Sequence, residues 1–283
     1  MKFTETAPIK RGDHIVLPLT PQQLSLADTL DCGQAFRWRR QEDGSYKGVV
    51  RGRLLHISRT GDELLLHNTT EQDYTDLWQE YFDMERSYGK LKEQFSTNPV
   101  LRDAMGYAPG IRVLRQDPWE TLCTFIISAN NNIPRIKGIV ERMSALFGQQ
   151  IEDDYYSFPT PQRMASLCCE ELAPLRCGYR DKFLLDAAQK VSAGEVSLDT
   201  IAQLPTHEAQ QALRQIKGVG PKVADCILLF AYGRSECFPM DTWMKKVMTV
   251  LYPDGLPEDF LPSAGIAQQY LFHYARHHGE LFD

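Results

Sequence analysis

The chain of 283 residues predicts an α+β fold: an N-terminal antiparallel β-sheet domain with helices over 1–112, then an all-helical region over 113–283. Two observations carry this. Short β-prone runs cut apart by glycine turns fill the first third, and helical spacing with capping residues takes over from residue 70. A third observation is more local. Two amphipathic helices joined by Gly-Val-Gly over 206–232 form a helix-hairpin-helix motif.

The strands come first. "QAFRWRR" (34–40), "SYKGVV" (45–50), "RLLHIS" (53–58) and "ELLLHN" (63–68) are separated by Asp43-Gly44, Arg51-Gly52 and Thr60-Gly61-Asp62, the turn chemistry of a meander. Thr70-Glu71 then opens a helix over 71–82, and a second helix spans 84–96. The acidic residues of 70–87 read as a solvated helix face. A Gly- and Pro-rich connection follows over 106–117. Pro118 takes a first-turn position in "PWETLCTFIISAN", "IPRIKGIVERMSALFG" ends on Gly148, and "YRDKFLLDAAQKVSAG" ends on Gly194. The later helices are expected over 206–216, 221–232, 241–251 and 263–278.

Composition narrows the function classes. No run approaches eighteen apolar residues and the N-terminus has no apolar leader, so neither export nor a membrane span is indicated. Seven cysteines, mostly inside apolar segments and without a C-x-x-C pair, read as reduced thiols rather than ligands of an iron–sulfur cluster. The short ends fit a prokaryotic cytoplasm better than an organelle-targeted form. A net charge of −6 argues mildly against a partner as anionic as nucleic acid. The hairpin answers that objection. Gly218 and Gly220 allow a tight turn, and the free N–H groups opening the second helix hold a phosphate without a side-chain cation.

Lys222 sits in the first turn of that second helix, where the helix dipole and apolar neighbours both disfavour an ammonium. A lysine made neutral there is a nucleophile able to form a Schiff base. Cys226, four positions on, shares its helix face. A lysine snorkelling over a core cysteine is the plainer alternative. Asp241 precedes a helical run, where it caps the helix and is also placed to stabilise positive charge developing on a sugar or to relay a proton.

At these residues the sequence resembles the helix-hairpin-helix Gly/Pro-Asp DNA glycosylases, and within them the 8-oxoguanine DNA glycosylase/AP lyase branch. Four further segments extend the likeness over roughly residues 25 to 275. In "CGQAFRW" (32–38) the resemblance implies that Gly33 offers its carbonyl to the imidazole-ring N–H that 8-oxoguanine has and guanine lacks. In "SANNNIPRI" (128–136) it implies that Asn130 fills the space vacated by the flipped nucleotide and Arg135 reads the opposing cytosine. In "CGYRDK" (177–182) it makes Tyr179 a wedge beside that cytosine and Arg180 a second contact to it. In "AGIAQQYLFHYA" (264–275) Gln268 would hydrogen-bond the Watson–Crick edge of the flipped base, with Phe272 on one of its faces and Cys226 on the other. Trp243 and Ala275 depart from the family pattern, where a histidine and an aspartate are expected.

The implied enzyme is bifunctional. It flips 8-oxoguanine paired with cytosine out of duplex DNA, Lys222 displaces the base with help from Asp241, and β-elimination nicks the strand. It needs no redox cofactor and no catalytic metal, and a monovalent cation held by hairpin carbonyls helps bridge to phosphate. It acts as a monomer, in the cytoplasm and nucleoid of a prokaryote or the nucleus of a eukaryote. A superfamily member for another lesion, an oxidised pyrimidine or alkylated purine, and a non-catalytic module that holds DNA through the hairpin both stay open at this stage.

Overall fold

A computed structural model describes residues 7–282, so 1–6 and 283, the outer ends of the two expected domains, lie outside the described residues. Six strands form the N-terminal sheet: β1 (Ile9–Arg11), β2 (His14–Pro18), β3 (Trp38–Arg40), β4 (Tyr46–Val50), β5 (Arg53–Thr60) and β6 (Glu63–His67). Their order is β1-β2-β6-β5-β4-β3 and each neighbouring pair is antiparallel. The expected meander is therefore β3 to β6. The β1–β2 hairpin, which turns at Gly12 with φ +62°, extends it beyond β6.

Alternation decides which face is covered. Leu55 and Ile57 of β5, and Leu64 and Leu66 of β6, point one way into a core with Trp38, Trp78, Tyr81 and Phe82. Thr70 caps the covering helix in a reciprocal box with Asp73, as the sequence suggests. The helix runs through a wide π turn over Tyr74–Trp78, and Tyr74, Leu77, Trp78 and Tyr81 are all buried.

Several boundaries move. The strand expected from residue 34 starts at Trp38, because 32–37 are spent in bends around Gly33 at φ +98° and a buried Gln34. The helix expected from 84 starts at Tyr88. Asp83, at φ +50°, takes hydrogen bonds from Arg86 (2.6 Å) and Tyr88 (3.0 Å) and holds the approach as a turn. A helix over Pro99–Tyr107, capped by Asn98 on the Leu101 N–H at 3.1 Å, was not expected. Neither was the short helix Leu26–Leu30, nor the small hairpin Gln150–Glu152/Tyr155–Tyr156. That hairpin returns to the sheet: the Tyr155 ring lies 4.7 Å under the Arg39 guanidinium, and Arg37 donates to the Tyr156 carbonyl.

The helices after residue 117 pack around a second core, which also takes in Phe36 and the helices over 88–107. Pro118–Ser128 runs through its middle and stacks on Pro221–Phe230, with Phe125 and Phe230 rings 5.2 Å apart and 7° from parallel. Asp117, Asn132 and Asp241 cap helices that start where the sequence places them. Among the described residues no helix is long and apolar enough to cross a membrane.

Candidate active site

Between the loop before β3, the two stacked helices and the Ala264–His277 helix lies a cavity of about 110 Å³. Six residues singled out in the sequence line it: Gly33, Lys222, Cys226, Asp241, Gln268 and Phe272. They come from four separate segments of the chain. The other six, Asn130, Arg135, Tyr179, Arg180, Gly218 and Gly220, lie outside its wall.

Lys222 stands in the first turn of its helix with Nζ 5.4 Å from the Phe125 ring centre. One helical turn on, Cys226 is 2% exposed. Burial pushes its thiol up to about 11, although the Lys222 amine beside it pulls the other way. The sulfur is thus a neutral thiol in the cavity wall at pH 7. Asp241 accepts from the Met244 N–H at 2.8 Å, so the cap is real, and its carboxylate still lines the cavity.

On the facing helix Gln268 is 4% exposed. Its Nε2 donates to the Pro239 carbonyl at 3.3 Å and its Oε1 is buried without a partner. Phe272 follows one turn later, half-buried, with the Arg276 guanidinium 5.4 Å from its ring centre. Gly33 is a position only glycine suits. Its φ is +98°, and a Cβ would stand 2.7 Å from Ile133 Cδ1.

Sequence reasoning missed part of this wall. Phe36, Phe125 and Phe230 give it an aromatic floor, and Asn131 and Gln269 supply amides. Phe36 sat inside the quoted "CGQAFRW", and Gln269 beside Gln268, so position along the chain was a usable signal for both. Nothing local marks Phe125 or Phe230, whose place follows from two helices meeting.

The outer residues form an exposed edge. Asn130 sits at φ +49° on the turn after the Pro118–Ser128 helix, and Arg135 is exposed with Nη2 3.3 Å from the Arg176 carbonyl. Tyr179 is 55% exposed, propped edge-on against Phe183 at 5.8 Å. Arg180 departs from expectation. It is 3% exposed, and its guanidinium donates to the carbonyls of Ala129 (3.0 Å), Asn130 (2.9 Å) and Cys177 (3.0 Å). A side chain placed this way braces the Asn130 turn.

The hairpin glycines also differ from each other. Gly218 is left-handed at φ +84°, and a Cβ there would meet Phe183 Cδ2 at 2.5 Å. Gly220 has φ −90° and ψ −176°, extended backbone that any residue adopts, with open space around it. Only the first is demanded by the turn. Of the two departures, Trp243 packs 6.3 Å from the Phe282 ring and Ala275 is 1% exposed, so apolar packing stands where a titratable pair was expected.

Known proteins match this architecture in both halves. A family model described as the N-terminal domain of 8-oxoguanine DNA glycosylase matches residues 16–122, and one described as the HhH-GPD superfamily of base excision DNA repair proteins matches 123–255. The N-glycosylase/DNA lyase OGG1 of Arabidopsis thaliana is 33% identical over 84% of this chain and 69% of its own length. The N-glycosylase/DNA lyase of Saccharomyces cerevisiae is 31% identical over 82% and 69%. The crystal structure of the Clostridium acetobutylicum 8-oxoguanine glycosylase/lyase, in complex with double-stranded DNA containing cytosine opposite 8-oxoG, superposes with a TM-score of 0.91 at 37% identity. That likeness covers 99% of this chain and 100% of the other. The chain belongs to the 8-oxoguanine DNA glycosylase/AP lyase branch of the helix-hairpin-helix base excision repair superfamily.

Proposed function

We propose that this protein removes 8-oxoguanine opposite cytosine from duplex DNA and then nicks the strand by lysine Schiff-base chemistry. One observation carries the reading: Lys222 and Asp241 share a single cavity with Gly33, Gln268 and Phe272. The hairpin start would take a phosphate on its free N–H groups, and Tyr179 would fill the stack as the damaged nucleotide leaves it. In the cavity the base lies between Phe272 and the Cys226 thiol, the Gln268 side chain meets its Watson–Crick edge, and the Gly33 carbonyl meets its ring N–H.

The bonds balance as follows. The free amine of Lys222 forms a bond to the anomeric carbon as the glycosidic bond breaks, and the base departs with a proton. Asp241 stabilises the positive charge that develops on the sugar. The base's proton comes from the newly bonded nitrogen, and the ring oxygen takes a proton from solvent as its bond to the same carbon breaks, leaving a protonated imine. The imine acidifies the adjacent carbon, whose proton leaves as the bond to the 3′ phosphate breaks. Water then releases the lysine. A monovalent cation on the turn carbonyls belongs to the same proposal. Its support is the left-handed Gly218, at which the first helix gives way to a tight turn. No step runs through it. The chain would act as a monomer on one lesion, in the nucleoid of a prokaryote or the nucleus of a eukaryote.

Borohydride trapping tests this directly. The full chain mixed with an 8-oxoguanine:cytosine duplex is expected to give a covalent adduct. Lys222→Gln should abolish the adduct and lower excision by about 10³-fold or more while leaving duplex binding in place. Trapping on a thymine-glycol duplex in preference would move the chain to another lesion class, and a bound but unaltered duplex would reduce it to a binding module.

A further inference from the structure

Arg276 touches two of the residues that would read the base. It lies one turn beyond Phe272 on the Ala264–His277 helix, with its guanidinium carbon 5.4 Å from the Phe272 ring centre. It also reaches the Gly33 turn: a Cβ built on Gly33 would stand 3.6 Å from Arg276 Nη1. Phe272 and Gly33 line the cavity, and Arg276, half-buried, does not. Among the described residues it has no ion pair, so packing against these two is what the side chain does.

The two partners come from opposite ends of the chain. A stacking ring and a hydrogen-bonding carbonyl act together on one base only if the spacing between them is set before the base arrives. Gly33, left-handed at φ +98°, has no side chain of its own with which to lock the turn. Ile133 bounds it, with Cδ1 2.7 Å from the same Cβ position. Arg276 supplies a second bound and carries it across to Phe272. A guanidinium suits both contacts. It is planar, it is drawn to the face of an aromatic ring, and it is hydrated weakly enough to sit half-buried.

We propose that Arg276 is a positioning residue for base recognition, holding the Phe272 ring and the Gly33 turn at a fixed spacing so that a flipped base meets its stack and its carbonyl at once. The assignment rests on the glycosylase reading above. Arg276 acts through those two residues and not by touching the base.

The test compares two activities of the same full-length chain: single-turnover excision from an 8-oxoguanine:cytosine duplex, and strand cleavage at a preformed abasic site opposite cytosine, where no base is present to be positioned. Arg276→Met keeps an unbranched stem and removes the guanidinium. The ratio of excision to abasic-site cleavage is expected to fall by about 3- to 30-fold, the worth of one partly desolvated cation–π contact. Arg276→Lys keeps a cation able to lie on the ring and should recover part of that loss. The dependence of undamaged-duplex affinity on salt should match wild type in both variants. A phosphate contact would instead lower the slope of log affinity against log salt by about one and weaken both activities, which overturns the assignment. An unaltered ratio in Arg276→Met overturns it too, and Arg276→Lys no better than Arg276→Met overturns the ring contact as its cause. Failure of the wild-type chain to excise 8-oxoguanine at all overturns the reading of the site, whereas wild-type excision with an unaltered ratio in the variant overturns the role of Arg276 alone.

Discussion

Two parts of the molecule use buried glutamine in opposite ways. Gln34, fully buried next to the Gly33 turn, spends all it has. Its Nε2 donates to the carbonyls of Thr29 (2.9 Å) and Arg112 (2.7 Å), and its Oε1 accepts from the Leu114 N–H at 2.9 Å. It staples the loop before β3 to the connection that leads into the helices. Gln268 and Gln269 are almost as buried and line the cavity wall, yet each keeps an atom without a hydrogen-bond partner. A structural amide is finished when the chain folds, and a recognising amide is finished only by its ligand.

Asp241 belongs to both classes, which allows the sharpest test. Asn caps as well as Asp does, so Asp241→Asn should keep the bond to Met244 and hold the melting temperature. What it removes is the charge. Excision is expected to fall by about 10² to 10⁴-fold in single-turnover kinetics, with stability followed in parallel by thermal melting. An equal loss of melting temperature and rate would mean that the carboxylate is a cap and nothing more.

The staple predicts the reverse pattern. Gln34→Leu strands the Arg112 carbonyl and the Leu114 N–H in the interior and should destabilise the chain by about 2–5 kcal/mol, read from the urea midpoint. Abasic-site cleavage per folded molecule should persist. If activity vanished while the midpoint held, Gln34 would be part of the recognition surface instead.

Much of this was legible along the chain because the signals are local. Proline at the first turn, Asn132 and Asp241 as caps, and residues four apart such as Lys222 and Cys226 or Gln268 and Phe272 depend only on helix geometry. The Pro99–Tyr107 helix carried the same signal, Asn98 then Pro99, and was overlooked. The rest depends on segments meeting. Phe125 and Phe230 become a cavity floor only when their helices stack. Arg180 is expected at the opposing cytosine, and nothing in its local sequence announces the three carbonyls, converging from two loops, that draw it inside. Gly220 shows the converse: a motif letter that the local backbone does not require.

His273 limits how far an unpaired atom can be taken as a sign of function. Its Nδ1 is buried and partnerless too, but the ring lies outside the cavity, between Tyr107 at 5.7 Å and His277 at 4.6 Å. Burial, with His277 and Arg276 adding to it, pushes its pKa down from 6.5 to about 4. The unfolded chain takes up that proton near 6.5 and the folded chain resists it until about 4. Stability from this group is therefore complete above pH 6.5 and is lost as pH falls through the window toward 4. His273→Phe should flatten the fall of Tm across that window by a few degrees, on the order of 1 kcal/mol. It should not remove the fall, because His56 and His67, stacked at 4.3 Å on the sheet, are also pushed down by burial. Excision at neutral pH should match wild type. A variant that kept the full acid sensitivity would show that the ring is solvated in solution, and one that lost excision would place His273 in the active site.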